Sequence, residues 1–105
     1  MVTLTNTLSG KKETFRSLQP DRVTLYACGI TPYDRAHIGH ARSYVSFDLL
    51  YRWLIFLGYD VTYCRNFTDI DDKLLKKAQS VLGDQMRYPE IAEKIIAQYQ
   101  NEMKA

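Results

Sequence analysis

The chain has 105 residues, 46% of them hydrophobic and 25% charged, an ordinary globular composition that allows one domain at most and excludes a disordered tail, a collagen-like fibre or a disulfide scaffold. Lys and Arg number 14 against 12 Asp and Glu, a net charge of +2 that is too balanced to predict nucleic-acid binding from charge alone. We expect the two cysteines to be free and buried. The sequence has no apolar run long enough to span a membrane and no signal-peptide pattern. Together these features predict a soluble cytoplasmic protein.

The first third of the chain is predicted to contain an exposed segment and a buried strand. Residues 2–8 alternate polar and apolar side chains, which favours a short edge strand or an extended arm, and residues 9–12 are typical of a turn. Residues 23–28 are mostly apolar and rich in β-formers, as a buried strand requires. Gly29 ends this strand, and a loop follows to about Ala36.

A long helix and a second strand are predicted next. Over residues 37–57 the apolar side chains recur at three- and four-residue spacing, and Gly58 stands where a C-terminal cap belongs. The second half of this helix is apolar nearly all round, so we expect it to be buried against a sheet. With a strand at residues 59–65, the order strand, helix, strand predicts a βαβ unit and a parallel sheet.

Two further helices are predicted in the last third. The pattern Thr68-x-x-Asp71 resembles a capping box that opens a helix over residues 72–82, and Gly83 ends it. Pro89 suits the first turn of a last helix. One apolar stripe of that helix is expected to find little to pack on: Ile91, Ile95 and Tyr99. A single βαβ unit has few strands to cover its helices, so we expect a fragment of a larger domain.

The loop over residues 28–40 carries the candidate chemistry. It joins the carboxyl end of the first buried strand to the start of the long helix, where α/β proteins place ligands and where a helix N-terminus favours phosphate. The chain's only histidines, His37 and His40, lie there and could donate hydrogen bonds to phosphate oxygens. Gly39 between them would let a flat ring approach the backbone. The alternative is that both histidines are half-buried helix-cap residues.

Four stretches of the chain then carry a resemblance: Tyr26 to Asp34 (YACGITPYD), His37 to His40 (HIGH), Ala41 to Asp48 (ARSYVSFD) and Arg65 to Lys73 (RNFTDIDDK). Together they resemble the N-terminal part of the catalytic domain of cysteinyl-tRNA synthetases, and His-Ile-Gly-His is one of the two defining motifs of class I aminoacyl-tRNA synthetases. The resemblance runs from about residue 4 to residue 78. It implies an α/β fold with a Rossmann-like parallel sheet, of which residues 1–105 are the N-terminal portion only.

The resemblance also implies a reaction. A cysteine–tRNA ligase activates cysteine with Mg-ATP to cysteinyl-adenylate and transfers it to tRNA(Cys) in protein synthesis. His37 and His40 would bind the ATP phosphates and stabilise the transition state at the α-phosphorus. Thr31 and Gly39 would complete the ATP site, with Gly39 beneath the adenine.

A zinc ion is the cofactor that the resemblance implies. Cys28 would be one of its four ligands, and the zinc would bind the thiol of the substrate L-cysteine, so that serine is rejected. From the residue alone, the preferred interpretation of Cys28 is a small apolar residue at the end of a strand. Gly29 and Thr68 match positions that contact the bound amino acid, although Thr68 could instead cap a helix. Cys64 has no evident partner ligand and is predicted to be core.

Charged clusters follow the second strand. Three carboxylates could suggest a metal cluster, but acidic residues are expected at a helix start: Asp69, Asp71 and Asp72. Three lysines could face the acceptor end of a tRNA, but a solvated helix face is the preferred interpretation: Lys73, Lys76 and Lys77.

Several family features are expected outside this stretch. The other three zinc ligands, the second class I motif Lys-Met-Ser-Lys-Ser and the remainder of the catalytic domain would follow residue 105, so we expect the chain alone not to charge tRNA. A ligase that joins activated cysteine to an amino sugar in mycothiol synthesis shares the zinc, the two-histidine motif and a similar loop, and is one alternative. A non-catalytic nucleotide- or metal-binding module is the other.

Overall fold

A computed structural model describes residues 1–104. The elements, in chain order, are β1 (Thr3–Asn6), β2 (Lys11–Thr14), β3 (Arg22–Ala27), α1 (Ile38–Phe56), β4 (Asp60–Arg65), α2 (Asp72–Leu82), a 3₁₀ turn at Gln85–Arg87 and α3 (Tyr88–Met103). β3 and β4 pair in parallel, with Arg22 opposite Asp60 and Ala27 opposite Arg65, and α1 connects them. The predicted βαβ unit and the α/β fold class are confirmed.

The N-terminal segment is a hairpin. β1 pairs with β2 in antiparallel register, and Gly10 supplies the positive φ of the turn between them. The predicted strand near residues 2–8 is confirmed as β1, but the sequence did not predict β2. Charged residues at 11–13 do not alternate with apolar ones, and all eight residues of the hairpin strands are exposed. Its pairing therefore rests on backbone hydrogen bonds, which leave no hydrophobic pattern in the sequence.

The C-terminal end of α1 is a Schellman motif. Gly58 has φ +95°, its N–H donates to the carbonyl of Ile55 at 2.9 Å, and the N–H of Tyr59 donates to the carbonyl of Leu54 at 3.1 Å. Left-handed backbone suits glycine, so Gly58 ends the helix as the sequence predicts.

Helix α1 is apolar on two opposite faces. Tyr44 and Leu54 are buried on the side that meets the sheet. The outer side is a stripe of large apolar side chains that are 46–76% exposed: Val45, Leu49, Trp53 and Phe56. The prediction that the C-terminal half is buried against a sheet therefore holds for one side only, because the two-stranded sheet leaves the outer side of the helix exposed.

The parallel sheet likewise has one covered and one open face. Val23 and Ala27 are buried on one face of β3, whereas Tyr26 on the other face is 66% exposed. Cys64 pairs with Tyr26, and both it and Cys28 are free and exposed. The predictions of a buried β3, of a core position for Cys64 and of buried thiols are wrong, because no described element covers this second face.

Asp71 is the N-cap of helix α2, and its carboxylate accepts the Lys73 N–H at 2.8 Å. The prediction that Thr68 caps this helix is therefore wrong. The predicted helix over residues 72–82 and the left-handed Gly83 at its end are confirmed. Asp71 takes the cap because its carboxylate accepts the N–H two residues later, as an N-cap side chain does.

Helix α3 packs back onto the molecule. Tyr99 is buried and lies in one cluster with Ile30 and Tyr44, against which Phe67 packs. Ile91 and Ile95 are half-buried. The expectation that this stripe lacks a packing surface is wrong, because α2 and the loops that follow the strands receive it. Among the described helices, none is long and apolar enough to cross a membrane.

Candidate functional site

The loops that follow β3 and β4 are joined where the two parallel strands end. The Gly29 N–H donates to Asn66 Oδ1 at 2.7 Å, and the Thr68 N–H donates to the carbonyl of Ile30 at 3.0 Å. A Cβ on Gly29 would lie 1.7 Å from the Asn66 carbonyl oxygen. Only glycine therefore allows the two loops to approach so closely.

This junction brings together the three residues expected to meet the amino acid or its metal. Cys28 Sγ lies 4.0 Å from Thr68 Oγ1 and 3.6 Å from the carbonyl of its neighbour Gly29. Because Asp71 caps α2, the hydroxyl of Thr68 is not occupied by the helix start. The exposed thiol, the Gly29 backbone and the Thr68 hydroxyl thus share one edge of the sheet.

His37 and His40 form a reciprocal cap at the start of α1. His37 Nδ1 accepts the Gly39 N–H at 3.1 Å, and the His37 N–H donates to His40 Nδ1 at 3.1 Å. The two rings stack with centroids 3.9 Å apart and planes 22° from parallel. The helix-cap role is confirmed for both residues, but the expected half-burial holds only for His40, because His37 is exposed.

The cap also determines which tautomer each ring adopts. An Nδ1 atom that accepts a hydrogen bond carries no proton, so each neutral imidazole holds its proton on Nε2. Capping through Nδ1 therefore leaves one Nε2–H donor per ring at the helix N-terminus, where the unpaired backbone N–H groups favour an anion. The cap and a phosphate-donor role use different nitrogens and are compatible.

Burial first, and then the charge of His37, lower the pKa of His40 below its ordinary value. The neutral ring, with Nδ1 accepting and Nε2–H donating, is accordingly the form of His40 at neutral pH.

Glycine is required at position 39 because the imidazole ring of His37 lies against the backbone there. A Cβ there would lie 2.9 Å from His37 Cε1 and 3.0 Å from His37 Nδ1. The flat ring that approaches this backbone in the described structure is the imidazole of His37, which sits over the first turn because Gly39 has no side chain.

Thr31 stands on the same loop as the histidines. It is half-buried, and its carbonyl accepts the Tyr33 N–H at 2.8 Å. Across residues 1–104 no hydrogen bond joins its side chain to the histidine pair.

A groove of about 280 Å³ lies beside the histidine pair, and α3 forms part of its wall. His40, Tyr44 and Met103 are among its lining residues. Arg35, in the loop before the histidines, pairs with Glu102 of α3 at 2.8 Å. These α3 contacts were not predicted, because they join residues far apart in the sequence.

Asn66 and Arg65 were also missed by the sequence analysis. Asn66 holds the Gly29 loop, and the Arg65 guanidinium lies over the ring of Tyr44, 4.1 Å from its centroid. Their position at the end of a parallel strand was the available signal, since polar residues there face the ligand edge of a sheet.

Within residues 1–104, no set of three or more His, Cys, Asp or Glu side chains could hold a metal ion. Cys28 has the thiol that zinc prefers, but residues 1–104 do not complete a zinc site around it. Asp71 serves as the α2 cap, and Lys73 Nζ lies 5.6 Å from the ring centroid of Tyr33.

Comparison with known proteins gives a consistent match. The family model for the tRNA synthetase class I (C) catalytic domain matches residues 14–105. Cysteine–tRNA ligases from Geobacter metallireducens, Thermosynechococcus vestitus and Maridesulfovibrio salexigens are 51%, 53% and 54% identical over 95%, 97% and 95% of the chain. In each case the chain spans 20% of the length of the relative it matches.

Proposed function

The chain belongs to the family of class I (C) tRNA synthetase catalytic domains, and from this membership we propose that residues 1–105 are the N-terminal part of the catalytic domain of an enzyme that attaches cysteine to tRNA(Cys). The relatives carry this activity in their names and are about five times longer than the chain. We further propose that the enzyme acts in the cytoplasm on ATP, L-cysteine and tRNA(Cys).

The observation that carries the proposal is the histidine pair at the start of α1, in which both Nδ1 atoms accept hydrogen bonds of the helix cap. In the first step the cysteine carboxylate attacks the α-phosphorus of ATP, and pyrophosphate leaves with the bonding electron pair. Negative charge on the phosphate oxygens shifts during this step, and preorganised donors that face those oxygens lower the barrier. The Nε2–H groups of His37 and His40 are such donors, because their Nδ1 atoms are fixed by the cap.

In the second step a ribose hydroxyl of the terminal tRNA nucleotide attacks the activated carbonyl, and AMP leaves. The free energy for the ester bond comes from the adenylate, so this chain contributes orientation rather than covalent chemistry. Thr31 and Gly39 are proposed as the remaining contacts to ATP.

The junction at the strand ends is proposed as the amino-acid end of the site. Cys28, Gly29 and Thr68 meet there, at the edge where α/β sheets bind ligands. We propose Cys28 as one zinc ligand, with the others outside residues 1–105; bound zinc would hold the substrate thiol as a thiolate and thereby discriminate against serine. Metal analysis of the longer natural product tests this, since Cys28→Ser should release zinc, and full zinc content in that variant would contradict the assignment.

The activity test uses variants that separate capping from catalysis. Asparagine caps helices well and carries an acceptor near the position of Nδ1, but it lacks the Nε2–H. In the longer natural product, His37→Asn and His40→Asn should lower cysteine-dependent ATP–pyrophosphate exchange about a hundredfold or more. Their free energies of unfolding should stay within about 0.5 kcal/mol of wild type, because the cap is kept.

Matched controls complete the experiment. Arg52→Gln removes an exposed ion pair with Asp48 on α1, away from the site, and should leave exchange unchanged. Unaltered exchange in both asparagine variants would remove the phosphate-donor role. Exchange without charging of tRNA(Cys), but with transfer to an amino sugar, would instead support the alternative ligase, and robust exchange by the 105-residue chain alone would contradict its being only a part of the active unit.

A further inference from the structure

Four planar groups lie in sequence between the end of β4 and the start of α1. The Arg65 guanidinium carbon is 4.1 Å from the ring centroid of Tyr44. The Tyr44 ring is 6.1 Å from that of His40, with planes 18° from parallel, and His40 stacks on His37 at 3.9 Å. These spacings are those of cation–π and offset aromatic contacts.

Arg65 is well placed to anchor this column. It is the last residue of β4 and pairs with Ala27 in the parallel ladder, so the sheet fixes its backbone. Its guanidinium also donates to the Tyr99 hydroxyl at 3.4 Å, and Tyr99 packs edge-on against Tyr44. The ring of Tyr44 is thereby held from β4 and from α3.

Tyr44 in turn acts through its ring and not through its hydroxyl. The side chain is 8% exposed, and its Oη has no hydrogen-bond partner among the described residues. Burial first, and then the neighbouring Tyr99 hydroxyl, raise the pKa of Tyr44 to about 12, so the group stays neutral. A buried hydroxyl without a partner costs free energy, whereas the ring has contacts on several sides.

We propose that Arg65 and Tyr44 are positioning residues for the histidine pair: Arg65 fixes the Tyr44 ring, and that ring holds His40 in the orientation that keeps Nδ1 on the His37 N–H and directs Nε2–H outward. The catalytic consequence rests on the proposed function, but the positioning itself is a property of this chain. Without the column, His40 would sample other rotamers and its donor would leave the position that the reaction requires.

The direct test is NMR of the 105-residue chain, whose only histidines are His37 and His40. Arg65→Met and Tyr44→Leu should weaken the nuclear Overhauser contacts between the two imidazole rings and bring the His40 ring signals towards those of a free histidine. Tyr44→Phe keeps the ring and should leave both unchanged, which makes it the matched control. Intact ring contacts in Arg65→Met would overturn the proposal, and so would equal losses in Tyr44→Phe and Tyr44→Leu.

Kinetics of the longer natural product supply the second measurement. For Arg65→Met we expect kcat for exchange to fall roughly tenfold to a hundredfold, with KM for cysteine changed less than about twofold, because orientation and not binding is lost. An unchanged kcat would contradict the proposal, and if Tyr44→Leu fails to fold, Arg65→Met decides. An enzyme without exchange activity would sink the proposed function alone, since the NMR result stands independently.

Discussion

An imidazole ring has two nitrogens, and the histidine pair assigns them different tasks. Nδ1 of each ring belongs to the helix cap, so protonation at that atom breaks a hydrogen bond that holds the start of α1. Nε2 is left to meet a ligand. The same two residues therefore link the stability of the helix start to the protonation state of their rings.

This linkage predicts a pH response. The pKa of His40 is lowered by burial and by the charge of His37, so the folded chain binds this proton less readily than the unfolded chain. The stability contributed by neutral His40 is therefore complete above pH 6.5 and is lost as the pH falls through 6.5 towards the lower folded value. In an NMR titration the His40 signal should have its midpoint below 6.5, and a midpoint above that value would refute this assignment.

Gly29 supports a second prediction at this scale. Gly29→Ala would place its Cβ 1.7 Å from the Asn66 carbonyl oxygen, and backbone cannot move aside without breaking the junction of the two loops. We expect a loss of about 3 kcal/mol in the free energy of unfolding, measured by urea titration.

The comparison variant for that loss is Gly58→Ala. Nothing lies within 4 Å of a Cβ at Gly58, and its left-handed φ of +95° should cost only about 1–2 kcal/mol. A smaller effect at Gly29 than at Gly58 would mean that the close approach of the loops is not maintained in solution.

Among the elements, α2 offers a clear separation between two neighbouring polar residues. Asp71→Ala removes the N-cap and should destabilise the chain by about 1 kcal/mol. Thr68→Val keeps the volume of a side chain that does not cap the helix and should leave the helix start unchanged. Amide exchange of Lys73 and Leu74 reports the difference: protection should fall in Asp71→Ala and persist in Thr68→Val. Loss of protection in both variants would show that Thr68 does cap the helix, as the sequence predicts.

How far the elements could be predicted depends on how local their signals are. Gly58 and Gly83 end α1 and α2 through their own backbone conformation, so the helix bounds follow from neighbouring residues. The β2 strand lacks such a signal, because its exposed charged residues pair only through the backbone. At the site, the sequence placed His37, Gly39 and His40 on one helix start, but the contacts of Asn66 with Gly29 and of Arg65 with Tyr44 join residues 21 or more positions apart and need the folded chain.

At the scale of the whole molecule, the apolar surface is divided between two sides of α1. The inner side is covered by the sheet, while the outer stripe of Val45, Leu49, Trp53 and Phe56 is open to solvent in the described chain. A contiguous stripe of this kind is more than isolated surface apolar residues, and such surfaces promote association.

We therefore expect the 105-residue chain to self-associate as its concentration rises. Val45→Lys combined with Leu49→Lys should return it to the 12.2 kDa monomer in sedimentation velocity, because the charges interrupt the stripe. Leu18→Lys changes a fully exposed leucine outside the stripe and should have no such effect. A wild-type chain that stays monomeric at every concentration would show that the stripe is not adhesive.

The parallel register also determines the order in which the strands can pair during synthesis. Each residue of β3 pairs with the residue 38 positions later, whereas the hairpin partners of β1 and β2 all lie within residues 3–14. At ribosomal elongation rates of about 5–20 residues per second, β3 waits roughly 2–8 s for β4 to be made. The hairpin needs only microseconds once its strands are free. Asn66 follows β4, so the loop after β3 is fastened at Gly29 only after nearly two thirds of the chain has been synthesised, long after the hairpin has formed.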